Sequence, residues 1–565
     1  MVAAYAVVRR SYGVPAVVFC FVLAAVHTIH AFQLRPTTIS AKWQSVAVTA
    51  SGHRCHLAAT PTSNDPKTTT GSTDASTKEE LFVQWMTSDD VWDEIPHPGK
   101  KLRVIGSIPS YVHGRYIKNG PGAFATPDKS RRYTHAFDGF ARLQKFDIEK
   151  SGEVTFTTRY IDSTVCRTAR EKNAIPGHLS VGPVEPPFTY LDIILNTLSF
   201  DNTCVNVDDV CGTFVAVTDP DVANEIDPTS LETIRTLPKR KIQGTVGVTT
   251  FSTAHAKTSR KTGLSYNFHM DIGIENWAHI VRTNADLTRT SIGKLKVGRQ
   301  FSYVHEISMT ENYVVLVLCP ALVDMAASLQ TKSVLPSLQF DPTIPTQICM
   351  FDIEGGEPVR TFEAPALWTF HHVNAFEDEF GAVVLDLIAY ETAAIANGPH
   401  GYLYMDNMAD AATRNMEERE GQVWRFTLDP KSTEKKMLVP EKKVIFDVTS
   451  GKEVTLELTS VSPEVLGLPY RYVYGFTGFY QGEVGYIDWA IYKQDVVRDE
   501  NAGVWYEECM YPGEVTFVRN PAGTKEDDGV LLATVYDSRQ GQNFLLVLDA
   551  RTMKETARAY TGVAW

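Results

Sequence analysis

The sequence predicts an all-β protein built as a β-propeller, and three observations lead to this prediction. After about residue 79 the chain consists of short β-branched and aromatic runs, bounded by Gly and Asp, without strand–helix alternation. Nothing in residues 79–565 has the composition of a linker that would divide the body. Three histidine motifs recur at intervals of 50 and 66 residues, close to the ~40–50 residues of a propeller blade. A multi-sheet sandwich is the alternative.

The predicted strands are spread along the body, and two segments between them have a helical pattern. The strand-length runs are 313–318, 382–389, 421–428, 470–474, 484–492, 529–536 and 544–548. A short amphipathic helix is predicted after Pro186, from the spacing of Phe188, Leu191, Leu195 and Leu198. Residues 321–329 form a second helix-like apolar patch. Either segment packs against the sheets or forms an apolar mouth that touches a membrane or admits an apolar substrate.

The first 78 residues have the composition of a targeting leader. Residues 1–33 contain Arg9 and Arg10 before an apolar stretch, which is typical of a signal peptide. Residues 34–78 are rich in Ser, Thr and Ala and poor in acidic side chains, which resembles a plastid transit peptide. The two together predict a plastid location, and the alternative is a secretory signal followed by a spacer. The body is predicted to span residues 79–565.

The charge of this body excludes one class of partner. Residues 79–565 carry 47 basic and 65 acidic side chains. A surface with this surplus of negative charge repels phosphate backbones, so we expect no binding to nucleic acid.

The histidine motifs are the main functional signal. His255 and His305 each lie in a strand-like motif, and the third motif contains His371 and His372. A neutral imidazole is the commonest metal ligand among protein side chains. Because side chains of a strand alternate between two faces, only one of the adjacent pair can face a central axis. The pattern therefore predicts one metal held by three strands.

Six motifs in the same order resemble the carotenoid cleavage oxygenase family, from about residue 82 to the end. They are residues 114–122 (GRYIKNGPG), 135–139 (HAFDG), 253–255 (TAH), 304–306 (VHE), 370–375 (FHHVNA) and 526–529 (EDDG). The resemblance implies a seven-bladed propeller with short helices that cap the face of a substrate tunnel. It also implies Fe(II) bound by histidines, with His255, His305 and His371 as three of the ligands.

The resemblance further implies carboxylates that orient the ligating imidazoles. Glu457 and Glu514 match two of these positions, and Asp219 stands where a glutamate is usual. The family's fourth histidine lies in a Phe-His-Gly motif that this sequence does not contain before Trp565. The sequence is expected to be truncated there, and the alternative is a protein without that ligand.

The activity implied by the resemblance is addition of dioxygen across one double bond of a carotenoid or apocarotenoid, which gives two carbonyl products. Two alternatives are a retinoid-like isomerase on the same scaffold and a non-catalytic carotenoid-binding propeller. The bond that is cut depends on how far the polyene slides past the metal, and no pattern in the sequence fixes this.

Overall fold

Antiparallel strands account for most of the regular secondary structure in the described chain, which confirms the all-β class. The structure, a computed structural model, describes residues 75–88, 91–196, 200–237, 242–243, 248–273, 275–393, 401, 403–414, 421–444, 453–479 and 487–564. The predicted signal peptide, and the transit-like segment up to residue 74, lie outside the described residues.

Seven sheets of four or five strands follow one another along the described chain, named here sheets 1 to 7. The strands of each sheet are given in pairing order. Sheet 1 contains Ile95–Leu102, Val154–Tyr160, Ala141–Ile148 and Gly114–Pro121, and sheet 2 contains Thr233–Leu237, Ala223–Ile226, Thr213–Val217 and Asn206–Val210. Sheet 3 contains Val248–Ser252, Ser265–Ile272 (also paired with Lys257–Thr258), Asn276–Thr283 and Arg289–Val297. Sheet 4 contains Ser308–Met309, Tyr313–Leu318, Thr346–Asp352 and Arg360–Ala364; sheet 5 contains His372–Glu377, Val383–Ala389, Gln422–Leu428 and Glu441–Lys443; sheet 6 contains Glu457–Ser460, Tyr472–Phe479, Asp488–Asp495 and Glu500–Tyr506; sheet 7 contains Val104–Gly106, Glu555–Tyr560, Gln542–Asp549, Gly529–Asp537 and Met510–Arg519.

The remaining described elements are short. The strands Phe301–Ser302, Ala321–Val323 and Gln339–Phe340 form a three-stranded sheet, and Arg132–Tyr133 pairs with Val184–Glu185. The α-helices are Ala75–Met86, Thr164–Lys172, Tyr190–Asn196, Met325–Thr331, Met405–Ala409 and Ala411–Arg414, and 3₁₀ turns cover Leu335–Ser337 and Pro463–Val465. No helix in the described part of the chain is both long and apolar enough to cross a membrane.

The core lies between the faces of successive sheets. The strand Val383–Ala389 is buried along its whole length, as expected for a continuous apolar run covered on both faces. One large cluster of buried side chains extends through sheets 3 to 6. A second cluster packs Phe146 and Phe156 of sheet 1 against Leu545 and Val547 of sheet 7. Sheets from opposite ends of the sequence therefore share a core.

Contacts also link the sheets in chain order. They join Asn119 to the Asn206 carbonyl, Asn206 to the Ala254 carbonyl, His255 to Glu306, Ser308 to His372, Gln494 to the Lys443 carbonyl, Tyr474 to the Ala550 carbonyl, and Lys118 to Glu514. Together they run from sheet 1 to sheet 7 and return from sheet 7 to sheet 1. Three of these contacts involve Asn206, Ser308 or His372, which lie in the strand of their sheet that comes first along the chain.

The helix Ala75–Met86 is part of the packed body and begins four residues before the boundary predicted at 79. Its Phe82 is completely buried, with ring centroids 5.4 Å from Tyr511 and 6.1 Å from Trp489. Glu79 forms an ion pair with the buried Arg414. Since Trp489 lies in sheet 6 and Tyr511 in sheet 7, this helix holds the two sheets together.

The two predicted helical segments have different outcomes. A helix is present at Tyr190–Asn196, and it exposes Tyr190 and Leu191. The prediction for residues 321–329 is wrong for its first residues, because Ala321–Val323 forms a strand between two others. The helix Met325–Thr331 begins only after Asp324, whose carboxylate accepts from the backbone N–H groups of Ala326 and Ala327.

We expect Asp324→Ala to lower the free energy of unfolding by about 1 kcal/mol, since it removes the side chain that caps these two N–H groups. Asp324→Asn is the matched control, because asparagine caps helices about as well as aspartate. Urea unfolding of the three proteins measures the difference. Equal stability of the alanine variant and the original protein would contradict this account of where the helix starts.

Candidate metal centre

The structure brings His255, His305 and His371 together at the edges of sheets 3, 4 and 5. His255 follows the strand Val248–Ser252, His305 precedes Ser308–Met309, and His371 immediately precedes His372–Glu377. One possible ligand atom from each histidine lies within 4.8 Å of those of the other two. The Nε2 atoms of His255 and His305 are 3.2 Å apart. Among the described residues these three form the group that could hold a metal ion.

His372 lies in a different environment from His371. Its Nδ1 is 2.8 Å from the Ser308 hydroxyl, and its backbone N–H donates to Glu306 Oε2 at 2.6 Å. Burial lowers the pKa of His372 to about 4. The imidazoles of His371 and His372 therefore lie in different surroundings, as expected when successive side chains alternate between the two faces of a strand.

Asp219 holds His305. The Nδ1–H of His305 donates to Asp219 Oδ2 at 2.8 Å, and the Tyr303 hydroxyl donates to the same oxygen at 2.6 Å. The other carboxylate oxygen accepts the backbone N–H of Ala254, 3.2 Å away, next to His255. Burial opposes ionisation, but the charge and hydrogen bond of His305 lower the pKa of Asp219 below its usual value.

Glu457 holds His371 in an equivalent way. The Nδ1–H of His371 donates to Glu457 Oε2 at 2.5 Å, and the Tyr390 hydroxyl donates to Oε1 at 2.6 Å. The backbone N–H of Leu458 donates to Oε2 at 3.0 Å. Burial disfavours the imidazolium, but the Glu457 carboxylate outweighs it and raises the pKa of His371 to about 9. The same negative charge favours a metal cation at the Nε2 atom of His371.

Glu514 has a lysine as its partner in the structure. Its carboxylate forms an ion pair with Lys118, across sheets 7 and 1. A second ion pair joins Lys257 to Glu306, which also accepts the backbone N–H of His372. The role of Glu514 as a partner of a metal-bound imidazole stays a prediction.

The sequence interpretation missed four residues that surround the histidines: Lys257, Tyr303, Glu306 and Tyr390. Lys257 and Tyr303 each lie two residues from a histidine along the chain, which is a weak signal for a shared site. Tyr390 has no such signal, because its hydroxyl reaches Glu457 from a position 67 residues away in the sequence.

The donor set fits a transition metal. Burial, followed by the nearby His305, lowers the pKa of His255 to about 3, which leaves its imidazole neutral and able to donate a lone pair. The carboxylates occupy the Nδ1 atoms of His305 and His371, so their Nε2 atoms remain for a metal. Imidazole ligands suit Fe, Cu, Ni and Zn, whereas Ca and Mg prefer oxygen. These three residues could therefore hold such a metal.

The sequence is similar to one family model and to characterised proteins along most of its length. The family model described as Retinal pigment epithelial membrane protein matches residues 89–564. The mouse Beta,beta-carotene 15,15'-dioxygenase is 28% identical over 520 residues, covering 81% of this chain and 86% of that protein. The Carotenoid isomerooxygenase of Galleria mellonella is 27% identical over 512 residues, covering 84% and 92%.

Solved structures share the fold. The cobalt-substituted apocarotenoid oxygenase of Synechocystis superposes with a TM-score of 0.71 at 21% identity, covering 86% of this chain and 96% of that one. A chimera of that oxygenase with RPE65 superposes with a TM-score of 0.69 at 22% identity, over the same shares of the two chains.

Proposed function

The chain belongs to the carotenoid oxygenase family whose model is described as Retinal pigment epithelial membrane protein, and from this premise we propose that it is a non-haem iron dioxygenase. Its substrate would be a carotenoid or apocarotenoid. One carbon–carbon double bond is cleaved and each of its carbons receives one oxygen atom of dioxygen, so two carbonyl products form and no further co-reactant is needed. The observation that carries the proposal is the convergence of three imidazoles, two of them hydrogen-bonded to carboxylates.

Each residue of the centre has a role in this proposal. His255, His305 and His371 would hold Fe(II), which supplies the redox chemistry that lets dioxygen react with a polyene. Asp219 and Glu457 keep a proton on the Nδ1 atoms of His305 and His371, and this fixes the tautomer that leaves Nε2 as the ligand. Asp219 also ties the backbone before His255 to the same network.

Aromatic side chains beside the histidines support an apolar substrate. Phe370 is buried, and its ring centroid is 5.7 Å from that of His305 in an edge-to-face arrangement. Phe137 and Trp368 contact Phe370 at 5.8 Å and 5.0 Å between ring centroids. Such rings exclude water from the metal and offer apolar area to a conjugated chain.

The proposal extends to the architecture and the location. The seven sheets are proposed to be the blades of one propeller spanning residues 79–565, with sheets 7 and 1 adjacent. The exposed Tyr190 and Leu191 are proposed to form a peripheral contact with a membrane, where an apolar substrate dissolves.

A plastid location remains a proposal from residues 1–78; one relative, from Macaca fascicularis, is named mitochondrial. A fluorescent fusion of residues 1–78 tests the location.

A second candidate is an isomerase or isomerooxygenase on the same centre, and the similarity to the Galleria protein favours it. The full chain, loaded with Fe(II), is supplied with β-carotene and with an apocarotenal in detergent. We expect one dioxygen consumed per double bond cut, two carbonyl products by mass spectrometry, and loss of both signals after the metal is chelated.

His305→Ala is the matched control for background oxidation. A geometric isomer formed without oxygen uptake would support the isomerase instead. Binding of the polyene without any turnover by the iron-loaded protein would contradict both enzymes and support a carotenoid-binding protein.

A further inference from the structure

Two tyrosine hydroxyls occupy equivalent places behind the metal centre, one on the half-buried Tyr303 and one on the buried Tyr390. Tyr303 donates to the carboxylate of Asp219 at 2.6 Å, and Tyr390 donates to the carboxylate of Glu457 at 2.6 Å. Each of these carboxylates in turn accepts the Nδ1–H of a histidine. The chain therefore contains two three-membered series, each running from a tyrosine through a carboxylate to an imidazole.

Packing fixes both tyrosine rings, and Trp368 contributes to both. The Tyr303 ring stacks on Trp368 with centroids 5.6 Å apart, and it lies nearly parallel to the His305 ring at an interplanar angle of 10°. The backbones of Trp368 and Tyr390 exchange two hydrogen bonds of 2.9 and 2.8 Å. Trp368 itself is fully buried. The hydroxyls are therefore held in place by the core.

A glycine shows how closely the core surrounds Tyr390. A Cβ atom added at Gly421 would lie 2.6 Å from Cζ and 2.8 Å from the hydroxyl oxygen of Tyr390. That contact is too short for any side chain unless the tyrosine moves. The carbonyl of Gly421 accepts the backbone N–H of Leu456, directly before Glu457. The absence of a side chain at Gly421 thus allows the tyrosine to reach Glu457.

We propose that Tyr303 and Tyr390 are positioning residues of the metal centre, which fix Asp219 and Glu457 in the rotamers that aim the Nε2 atoms of His305 and His371 at one point. The inference rests on the proposed function, since it assumes that these imidazoles bind a metal. A carboxylate that accepts a second, rigid donor loses its freedom to rotate away from the imidazole. Without the hydroxyl, the carboxylate can turn and the histidine is held less well.

The test measures the affinity of the protein for Co(II). Binding is followed by the visible absorption of this metal, so the measurement does not require turnover. We expect Tyr303→Phe and Tyr390→Phe each to weaken Co(II) binding by about threefold to tenfold, less than the roughly 10–100-fold expected for loss of the carboxylate itself. The absorption bands of bound Co(II) should also shift, because the ligand geometry changes.

Tyr470→Phe is the matched control. The hydroxyl of Tyr470 also donates to a buried carboxylate, that of Asp386 at 2.5 Å, but this carboxylate binds Arg425 and no histidine. We expect this variant to retain the original Co(II) affinity. A loss of affinity equal to that of the other two variants would mean that general destabilisation explains the effect, and would overturn the inference.

A double-mutant comparison separates positioning from packing. If Tyr303 acts through Asp219, Tyr303→Phe should have no further effect on Co(II) affinity in a protein that already carries Asp219→Ala. The same holds for Tyr390→Phe with Glu457→Ala. Full persistence of the tyrosine effect in these backgrounds would overturn the inference. Gly421→Ala should reproduce the loss seen with Tyr390→Phe without removing the hydroxyl.

Failure of the proposed function and failure of the inference about the tyrosines give different results. An original protein that binds no Co(II) would contradict the proposed function, and the inference would fall with it. An original protein that binds Co(II) tightly, together with tyrosine variants of unchanged affinity and spectrum, would overturn the inference alone.

Discussion

Replacement of His255, His305 or His371 by alanine is expected to remove most of the bound metal and all measurable oxygen-dependent turnover. Under the proposed function these three imidazoles hold the metal, so the loss of one would open a coordination position to water and change both geometry and redox behaviour. Iron content by elemental analysis and oxygen uptake with a carotenoid measure the two effects. Full activity in any one of the three variants would show that the site is assigned wrongly.

His372→Ala is the matched control for these variants. His372 is adjacent to a proposed ligand and is buried, but its imidazole contacts Ser308 rather than the other histidines. We expect this variant to keep its metal and to lose stability only. A protein without metal after His372→Ala would favour the alternative assignment of the third ligand.

Phe82→Ala is expected to lower the free energy of unfolding by roughly 3–5 kcal/mol, the usual cost of removing a buried aromatic side chain. The ring fills the space between Trp489 and Tyr511, and the Arg414 guanidinium lies 5.5 Å from its centroid. The cavity would loosen the helix Ala75–Met86 from sheets 6 and 7. Urea unfolding, followed by tryptophan fluorescence, measures the loss.

Gln84→Ala is the control for Phe82→Ala, since Gln84 lies on the same helix and is exposed. It should leave stability nearly unchanged. Equal stability of all three proteins would mean that the helix contributes little to the packed body.

Local sequence patterns predicted strands well and the boundaries between element types less well. The buried strand Val383–Ala389 coincides with an apolar run of strand length, because burial on both faces leaves a direct signature in the sequence. Residues 321–329 have an equally apolar composition, yet they divide at Asp324 into a strand and a helix. The division depends on a capping hydrogen bond and on pairing with Phe301–Ser302, which composition does not encode.

The site shows the same limit at longer range. Motif spacing pointed to three histidine positions, and strand alternation allowed only one of His371 and His372 to face the axis. The family resemblance, not a local pattern, selected His371. The ion pair between Lys118 and Glu514 joins residues 396 positions apart. The hydrogen bond from Tyr390 to Glu457 joins the end of a strand of sheet 5 to sheet 6. Such contacts depend on how sheets are placed against one another. A single sequence carries no local pattern for that placement.

The pairing of Val104–Gly106 with Glu555–Tyr560 has a consequence for biosynthesis. About 450 residues separate the two segments, so at ~5–20 residues per second the ribosome needs roughly 20–90 s to make the intervening chain. Throughout that time the early segment has no partner, and its later capture requires closure of a very long loop. Sheet 7 can therefore be completed only after Glu555–Tyr560 has been translated, and until then its unpaired strand edges are open to aggregation.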